Sequence, residues 1–281
     1  MCRLFGFRSV IQSQVHSSLL SAENALGLQS HKHPDGWGVA YYVAGTPHII
    51  KSDKSALSDN LFKRVSGVVS SQTVLAHIRN ATAGSVDLLN THPFQFGPWV
   101  FAHNGNIKNF QEKRPELLSL ICPTFRRFIL GDTDSELLFF YFLSFMKNKN
   151  DILSKSVPLN PLIESLAQAL KELQKVIGDF SKIDDAGEKE TYLTFILTNG
   201  TTMISHQGGK KLFYSTYKTK CSDRNTCASF SPSCEAPSPS GLVNHLIFAS
   251  EPLSGENIWH SQEIGQLIGI DEKMILKKAN L

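Results

Sequence analysis

The chain has 281 residues, of which 41% are hydrophobic and 19% are charged, so its composition is that of a globular protein able to bury a sizeable core. Its formal net charge of +3 is not gathered into a long run of lysine or arginine, and we expect no nucleic-acid partner. The longest apolar stretch, 137–146, is too short to span a bilayer and the N-terminus lacks the apolar region of a signal peptide, so we expect no membrane partner and a cytoplasmic location.

The first half of the chain contains short runs of β-branched and aromatic residues that end in polar turn residues, which is the pattern of β-strands. Strands are predicted over 37–43 and 48–51, joined by a turn at 44–47. Two further strands are predicted over 73–79 and 99–103.

Two helices are predicted in the middle of the chain. The first begins at Thr133, which forms a capping box with Glu136, and continues through 137–143. This run is apolar on nearly every face, so we expect the helix to be buried. The second helix is predicted to begin at Asn160, with a proline at its first position, and to end before Gly178.

The clearest hairpin lies in the second half, where strands over 192–198 and 201–206 flank Asn199-Gly200. An Asn-Gly pair can supply the two positive φ angles of a type I′ turn, and alternating residues on each side favour paired strands. Two more strands are predicted, at 211–217 and 243–250.

Two segments show neither pattern and are predicted to be loops, at 178–190 and at 219–241, the second rich in serine and proline. Strands and helices do not alternate strictly, so a doubly wound parallel sheet is not expected and a layered α+β architecture is favoured. We expect one domain over 1–281, with 219–241 as an insertion.

The cysteines give no metal-binding pattern. They number five, which is odd, and without a secretion signal they are expected to be reduced thiols. Cys221, Cys227 and Cys234 are spaced too widely for the Cys-x2-Cys pattern of zinc sites, and no histidine pair has helical ligand spacing. We predict no metal, and because no glycine-rich phosphate loop is present, no nucleotide cofactor.

Cys2 directly follows Met1. If Met1 is removed, Cys2 carries both a thiol and a free α-amine, whose unperturbed pKa of roughly 7.7–8.0 suits proton transfer near neutral pH. The thiolate is the reactive form of cysteine, and a nucleophile needs a base within reach. Taken alone, Cys2 is better interpreted as a small buried residue before the first strand. The motifs that follow favour a nucleophile.

Four motifs follow Cys2 in order: His-Pro-Asp-Gly-Trp-Gly at 33–38, Ala-His-Ile-Arg-Asn-Ala-Thr at 76–82, Thr-His-Pro-Phe at 91–94 and Ala-His-Asn-Gly-Asn at 102–106, trailed by Gly-Asp-Thr-Asp-Ser-Glu at 131–136. Each is weakly specific, but the ordered set is specific, and it resembles the class II glutamine amidotransferases, which are glutaminase domains of the N-terminal-nucleophile hydrolases. The resemblance continues more loosely through 197–200 and 249–253, as in stand-alone members.

The resemblance implies a four-layer αββα sandwich, in which two antiparallel sheets stack between helical layers. It also implies hydrolysis of a small γ-glutamyl compound without a cofactor. In that reaction Cys2 attacks the γ-carbonyl with its own α-amine as proton shuttle, ammonia or another amine departs, and water cleaves the γ-glutamyl thioester to release glutamate.

Attack on a carboxamide creates an oxyanion, which needs preorganised hydrogen-bond donors. Asn104 offers a side-chain amide and Gly105 a backbone N–H, and in the family the Asn-Gly pair fills this role. The alternative is a simple turn at a strand end, as expected for Asn199-Gly200. No alternating strand pattern follows Asn104-Gly105, so the oxyanion role is favoured.

A γ-glutamyl substrate also carries an α-carboxylate and an α-ammonium. Arg79 can bind a carboxylate through two parallel hydrogen bonds, and the family uses the arginine of this motif in that way. Asp134 can hold the ammonium, and the resemblance also places Thr82 at the amino-acid end of the substrate. The alternatives are a surface ion pair for Arg79 and helix-dipole complementarity for Asp134. His92 is expected to support a loop near the site rather than to act as a base.

Three hypotheses for the function remain at this point. The chain is a glutaminase subunit that supplies ammonia to a separate synthase, a stand-alone hydrolase of γ-glutamyl compounds such as glutathione-like or ergothioneine-pathway intermediates, or a non-catalytic binding or regulatory protein. The presence of Cys2, Arg79, Asn104 and Asp134 argues against the third hypothesis.

Overall fold

The fold is taken from a computed structural model that describes residues 2–15, 17–21, 24–31, 33–81, 84–154, 156–187, 189–238 and 240–281. Within these residues the strands, in chain order, are β1 (Arg3–Gln14), β2 (Trp37–Val43), β3 (Thr46–Ser52), β4 (Ser70–Ile78), β5 (Phe94–Phe96), β6 (Trp99–Asn106), β7 (Tyr192–Thr198), β8 (Met203–His206), β9 (Phe213–Ser215), β10 (His245–Ala249), β11 (His260–Ser261), β12 (Gln266–Ile270) and β13 (Leu276–Asn280). The α-helices are α1 (Leu26–Gln29), α2 (Asn60–Val68), α3 (Phe110–Leu120), α4 (Pro123–Arg126), α5 (Asp134–Lys149) and α6 (Leu159–Ile177), with a π-helical turn at Ser17–Ser21 and a 3-10 turn at Pro232–Cys234.

These strands form two antiparallel sheets. The first sheet has the strand order β11-β9-β10-β1-β4-β2-β3, and the second has the order β13-β12-β8-β7-β6-β5. β1, which leads away from Cys2, pairs with β4 on one side and with β10 on the other. β6 pairs with β7 from Val100 to Asn106 and with the short β5 only at its start.

The two sheets and their helices form four layers. Because side chains alternate between the two faces of a strand, each sheet has an inner and an outer face. The inner faces meet in an apolar cluster that includes Leu4 and Leu75 of the first sheet and Ala102 and Ile196 of the second. The outer face of the first sheet packs against α1 and α2, and that of the second sheet packs against α3, α5 and α6. This arrangement confirms the expected α+β fold as an αββα sandwich.

Helix α5 confirms the burial expected from its apolar run, since most of its residues are buried. Its N-cap is Thr133, whose hydroxyl accepts a hydrogen bond from the Glu136 amide at 3.3 Å. The second half of the predicted capping box is wrong: the Glu136 carboxylate instead accepts hydrogen bonds from the amides of Leu130 at 3.1 Å and Gly131 at 2.7 Å. The acidic side chain therefore holds the loop that precedes the helix.

Two turns differ from their predictions. At Asn199-Gly200 only the glycine has a positive φ, of 92°, so the turn is not of type I′. Instead Asn199 N donates to Thr202 O at 3.1 Å, the Asn199 side chain accepts from the Thr202 amide at 2.8 Å, and β8 begins later than predicted. Two successive positive φ angles occur at Ala44 and Gly45, of 50° and 80°, which shorten the predicted four-residue turn to two residues.

Several element boundaries also differ. The cap of α6 is Pro158 rather than Asn160, because the Asn160 side chain accepts a hydrogen bond from Lys277 Nζ at 2.6 Å instead of capping the helix. The β6 strand extends three residues beyond the predicted end. The described parts of the predicted loops contain no named strand or helix apart from the 3-10 turn, and no helix within the described residues is long and apolar enough to cross a membrane.

Candidate active site

Cys2 lies at the start of β1, on the side that faces the second sheet. Leu4, two residues further along, belongs to the inner apolar cluster, and strand alternation places Cys2 on the same face. Residues of the C-terminal half of the chain hold the start of β1 through side-chain contacts. Leu4 N donates to Ser250 Oγ at 2.9 Å, and Arg3 forms a salt bridge with Glu251 at 2.6 Å. The position of Cys2 is therefore set by contacts that are distant in sequence.

The Cys2 thiol is held by the backbone of Asn80. The Asn80 amide donates to Cys2 Sγ at 3.3 Å, and the sulfur lies 3.5 Å from the Asn80 carbonyl oxygen. Burial of the sulfur is the largest influence on the Cys2 pKa and raises it, whereas the Asn80 amide and the positive charge of Arg79 lower it. The negative charge of Asp134 raises the pKa further. Because the net pKa is raised, the resting thiol is protonated at neutral pH and needs a base to react.

Arg79 directly follows β4 and is buried, with only 2% of its surface exposed, so the alternative of a surface ion pair is wrong. One guanidinium nitrogen, Nη1, donates to the Ser85 carbonyl at 3.0 Å. The Arg79 amide donates to Gly36 O at 2.8 Å, and the Asp35 carboxylate accepts from the Ala81 amide at 2.9 Å. The segment 33–38 therefore holds the loop that carries Arg79.

Asn104 lies within β6 and not at a turn. It is opposite Thr194 in β7, and the strand continues to Asn106. Val100 and Ala102 of the same strand belong to the inner apolar cluster, so alternation also directs the Asn104 side chain toward the first sheet. Because β6 contacts both β1 and β4 of that sheet, Asn104 lies on the wall that faces the strands leading to Cys2 and Arg79.

The Gly105 amide points away from β7. Leu193 lies opposite Gly105, and the Leu193 amide donates to Gly208 O at 2.8 Å, on the far side of β7. The N–H and C=O of one strand residue point to the same side, so Gly105 and Leu193 form a non-hydrogen-bonded pair. β5 pairs only with 99–101 of β6. The Gly105 amide therefore lies beyond the end of β5, and neither β5 nor β7 accepts a hydrogen bond from it within the sheet.

Glycine is required at position 105 by a close neighbour. A Cβ built there would overlap the imidazole ring of His103 and would approach the Tyr192 carbonyl too closely. His103 lies two residues earlier in β6, on the same face of the strand. The backbone of residue 105 can lie this close to His103 and Tyr192 only because glycine has no side chain.

Asp134 is the first residue of α5, and it is buried. One carboxylate oxygen accepts a hydrogen bond from the Ile107 amide at 2.9 Å, and the other lies 3.2 Å from the Ser135 hydroxyl. Burial raises the Asp134 pKa, and these hydrogen bonds lower it. A carboxylate has lone pairs for further donors, so Asp134 can accept a ligand N–H in addition to these two.

His92 is buried and packs against other aromatic rings. Its ring centroid lies 4.2 Å from that of His77 and 4.7 Å from that of Phe94. Burial lowers the pKa of His92 well below its usual value and that of His77 to about 3, so both rings are neutral. A Cβ at Gly38 would meet the His92 carbonyl oxygen. His92 thus fills space beside β2 and β4, and its supporting role stays a prediction.

The Cys2 thiol lies within electrostatic reach of both Arg79 and Asp134, and Asn104 lies on the facing sheet. Thr82 lies outside the described residues. Sequence reasoning missed Asn80, His103 and Ser135, although all three lie inside the motifs that were singled out. Strand alternation could have found His103, which shares a face of β6 with Gly105, whereas Asn80 and Ser135 lie outside the strands and have no such signal.

The three late cysteines lie elsewhere. Cys221, Cys227 and Cys234 line a cavity of about 910 Å³ between the outer face of β1 and the segment 219–241, on the side of the first sheet opposite to the Cys2 side chain. Within the described residues, no group of three or more His, Cys, Asp or Glu side chains is arranged to hold a metal ion. These thiols therefore take no part in the cluster around Cys2.

Comparison with known sequences points to one family. The family described as glutamine amidotransferases class-II matches residues 1–278. The chain is 31% identical over 180 residues to a probable glutamine amidotransferase of Saccharomyces cerevisiae, covering 60% of this chain and 50% of that protein. It is 34% identical over 115 residues to a gamma-glutamyl-hercynylcysteine sulfoxide hydrolase of Mycobacterium tuberculosis, covering 37% and 49%. The matches span 63% of a Haemophilus influenzae relative and about half the length of these two.

Solved structures show the same fold. A glutamine aminotransferase class-II domain protein from Silicibacter pomeroyi superposes with a TM-score of 0.64 at 20% identity, covering 100% of this chain and 98% of that one. The glutamine phosphoribosylpyrophosphate amidotransferase of B. subtilis superposes with a TM-score of 0.60 at 15% identity, covering 99% and 49%. At these identities the similarity establishes the architecture alone.

Proposed function

The chain belongs to the class II glutamine amidotransferases, and from this premise we propose that it hydrolyses a γ-glutamyl amide bond through Cys2 after removal of Met1. The observation that carries the proposal is the electrostatic setting of the Cys2 sulfur. Its pKa responds both to the cationic Arg79 and to the anionic Asp134, and both of these side chains are buried. A thiol whose pKa responds to both a buried cation and a buried anion matches a substrate whose reactive carbonyl is attached to a zwitterionic amino-acid end.

The two charged residues would bind that amino-acid end. Arg79 would pair with the α-carboxylate through its guanidinium group, which suits a planar two-oxygen partner. Asp134 would accept hydrogen bonds from the α-ammonium while it keeps those from the Ile107 amide and Ser135. Thr82 is proposed to contact the same end of the substrate.

The chemistry would then proceed at Cys2. The α-amine of Cys2 takes the thiol proton as the sulfur attacks the γ-carbonyl carbon of the substrate. The resulting oxyanion accepts hydrogen bonds from the Gly105 amide and the Asn104 side chain. The C–N bond of the substrate amide breaks as the protonated α-amine of Cys2 gives its proton to the leaving amine. Water, deprotonated by the same amine, attacks the thioester, and glutamate and the free thiol are released.

The leaving amine distinguishes two forms of the proposal. If the substrate is glutamine, the product is ammonia, which a separate synthase can consume. If it is another γ-glutamyl compound, the product is a larger amine. The relative named as a gamma-glutamyl-hercynylcysteine sulfoxide hydrolase supports the second form, since 34% of aligned residues are identical.

The test is incubation of protein lacking Met1 with glutamine and a panel of γ-glutamyl amides, followed by measurement of glutamate and of the released amine. We expect stoichiometric release of both from at least one compound. Cys2→Ala should release neither, whereas Cys227→Ala, which removes a thiol outside the site, should match the wild type. Hydrolysis that persists in Cys2→Ala, or its absence from the wild type across the panel, would contradict the proposal.

A further inference from the structure

A chain of hydrogen bonds connects the strand that carries the oxyanion donors to the helix that carries the ammonium anchor. His103 Nδ1 lies 2.9 Å from Ser135 Oγ, and Ser135 Oγ lies 3.2 Å from Asp134 Oδ1. His103 precedes Asn104 in β6, and Asp134 and Ser135 open helix α5. All three linked side chains are buried.

The donors available allow two arrangements of the protons in this chain. An ionised carboxylate only accepts hydrogen bonds, and Ser135 has a single hydroxyl proton. When the single ring proton of a neutral His103 is on Nδ1, Ser135 accepts it and donates its own proton to Asp134; when the ring proton is on Nε2, beside the Tyr192 carbonyl, Ser135 donates to Nδ1. Burial lowers the His103 pKa to about 3, which keeps the imidazole neutral over the pH range in which the protein would act.

The His103 ring also packs against the backbone of Gly105 in the same strand. Its ring occupies the space that a side chain at Gly105 would need. A second connection runs from the residue just past β6, since the Ile107 amide donates to Asp134 Oδ2 at 2.9 Å. The carboxylate is thus held from both oxygens, by the backbone after β6 on one side and by the His103–Ser135 pair on the other. This leaves little freedom in the distance between Asp134 and the Gly105 amide.

We propose that His103 and Ser135 are positioning residues that fix the distance between the ammonium anchor Asp134 and the oxyanion-binding strand, and that they thereby select γ-glutamyl over β-aspartyl substrates. The inference rests on the proposed function. In a γ-glutamyl substrate the α-carbon and the reacting carbonyl are separated by two methylene groups, and in a β-aspartyl substrate by one. An anchor held at a fixed distance from the oxyanion donors fits only one of these lengths.

The first test is Ser135→Ala, which removes the connection and keeps the helix. For the best γ-glutamyl substrate of the panel, we expect KM to rise about tenfold with little change in kcat. The ratio of kcat/KM for the γ-glutamyl substrate to kcat/KM for its β-aspartyl counterpart should fall by about tenfold. This is within the range of discrimination that one methylene group gives in a binding pocket. Ser135→Thr keeps the hydroxyl and should restore both values.

The matched control is Ser144→Ala in the same helix. The Ser144 hydroxyl is also buried, donates to Phe140 O at 2.7 Å and accepts from the Cys122 amide at 2.9 Å. This variant loses a comparable pair of hydrogen bonds away from the site, so it should keep the wild-type KM and preference. Similar melting temperatures for the two alanine variants would separate positioning from general stability.

A double-mutant cycle with Asp134→Asn locates the action of Ser135. If Ser135 acts through the carboxylate, Ser135→Ala should have little further effect once Asp134 is replaced.

A substrate whose α-amine is acetylated should be bound equally by the wild type and by Ser135→Ala. For His103 itself, His103→Asn keeps an amide donor near the place of Nδ1 and should retain more of the γ-glutamyl preference than His103→Leu.

The outcomes separate the two proposals. If the wild type hydrolyses γ-glutamyl compounds but Ser135→Ala matches Ser144→Ala in KM and preference, the positioning role is wrong and the proposed function stands. Additive effects of Ser135→Ala and Asp134→Asn would also overturn the positioning role. If the wild type cleaves no γ-glutamyl compound, both proposals fail.

Discussion

At the scale of single residues, the environment of Cys2 supports the proposal that an α-amine acts as the base. Burial raises the thiol pKa, and the one backbone donor, Asn80, does not reverse that shift. His77 and His92 are neutral rings whose pKa values are lowered by burial, so neither is suited to take a proton near pH 7. The base of the proposed mechanism is therefore the amine of Cys2 itself, and removal of Met1 becomes a requirement for activity.

The first prediction concerns the sulfur. Cys2→Ala should abolish hydrolysis while substrate binding persists, because Arg79 and Asp134 are unchanged. Cys2→Ser should retain the geometry but lose most of the activity, since a hydroxyl is far less ionised than a thiol near neutral pH. Turnover is measured by glutamate release and binding by calorimetry. Loss of binding together with turnover in Cys2→Ala would show that the amino-acid end is held elsewhere.

A second prediction concerns Arg79. Arg79→Lys keeps the positive charge but loses the planar pair of donors, and the α-carboxylate that it would bind does not change charge during the reaction. Its main effect should therefore be a raised KM with kcat nearly unchanged, as for any loss of uniform binding. Steady-state kinetics with the best γ-glutamyl substrate measure this. A lowered kcat at unchanged KM would instead place Arg79 near the reacting atoms.

At the scale of elements, the end of β6 predicted from the local sequence pattern differs from the end that strand pairing produces. The sequence predicts its end at residue 103, because Asn104-Gly105 has the composition of a turn. The strand continues to Asn106 because β7 supplies partners along that length. Strand pairing of this kind depends on a segment nearly ninety residues away and cannot be deduced from local composition. Helix α5, whose cap and apolar run are local features, was predicted well.

The third prediction follows from the place of Asn104 in β6. Its side chain faces the first sheet, and in the proposed mechanism it acts only when charge develops on the carbonyl oxygen. Asn104→Ala should lower kcat by about 10²–10³-fold, the usual effect of losing one oxyanion donor, with little change in KM. The control is Asn106→Ala in the same strand, whose side chain donates to the Glu190 carbonyl at 2.9 Å. A raised KM with unchanged kcat in Asn104→Ala would exclude the oxyanion role.

At the scale of the whole molecule, the sequence itself predicts mixed α and β structure, and the family resemblance that its ordered motifs carry implies the four layers and the identities of the proposed site residues. It does not predict what holds those residues. Three contacts all arise where separate segments meet: the Asn80 amide on the Cys2 sulfur, the tilted ring pair His77–His92, and the contact of His103 with Ser135. Such contacts follow from the stacking of two sheets and a helix, which no local pattern encodes.

Buried histidines lead to a fourth prediction, on stability. Burial lowers the pKa of His77 and His103 from 6.5 to about 3, and that of His206 and His245 to about 4. Below about pH 6.5 the unfolded chain binds protons that the folded chain does not. The free energy of unfolding should therefore fall as pH is lowered from about 7 to about 5.5, by up to about 1.4 kcal/mol per pH unit for each histidine.

Urea unfolding at several pH values measures this slope. His245 lies outside the candidate site, and His245→Gln should flatten the slope, whereas His31→Gln, which replaces an exposed histidine, should not. The carboxyls of Asp134 and Glu136, whose pKa values burial raises, favour the folded state as pH falls and so act in the direction opposite to the histidines. A free energy that stays constant or increases as pH falls from 7 to 5.5 would contradict the prediction.

The most direct measurement of the central claim is the site of covalent labelling by a glutamine analogue that carries an electrophilic carbon in place of the amide. The protein is treated with the analogue and digested, and the modified peptide is identified by mass spectrometry. We expect a single adduct on Cys2, in an N-terminal peptide that lacks Met1, and protection by a γ-glutamyl substrate. Labelling of Cys221, Cys227 or Cys234 with Cys2 unmodified would contradict it.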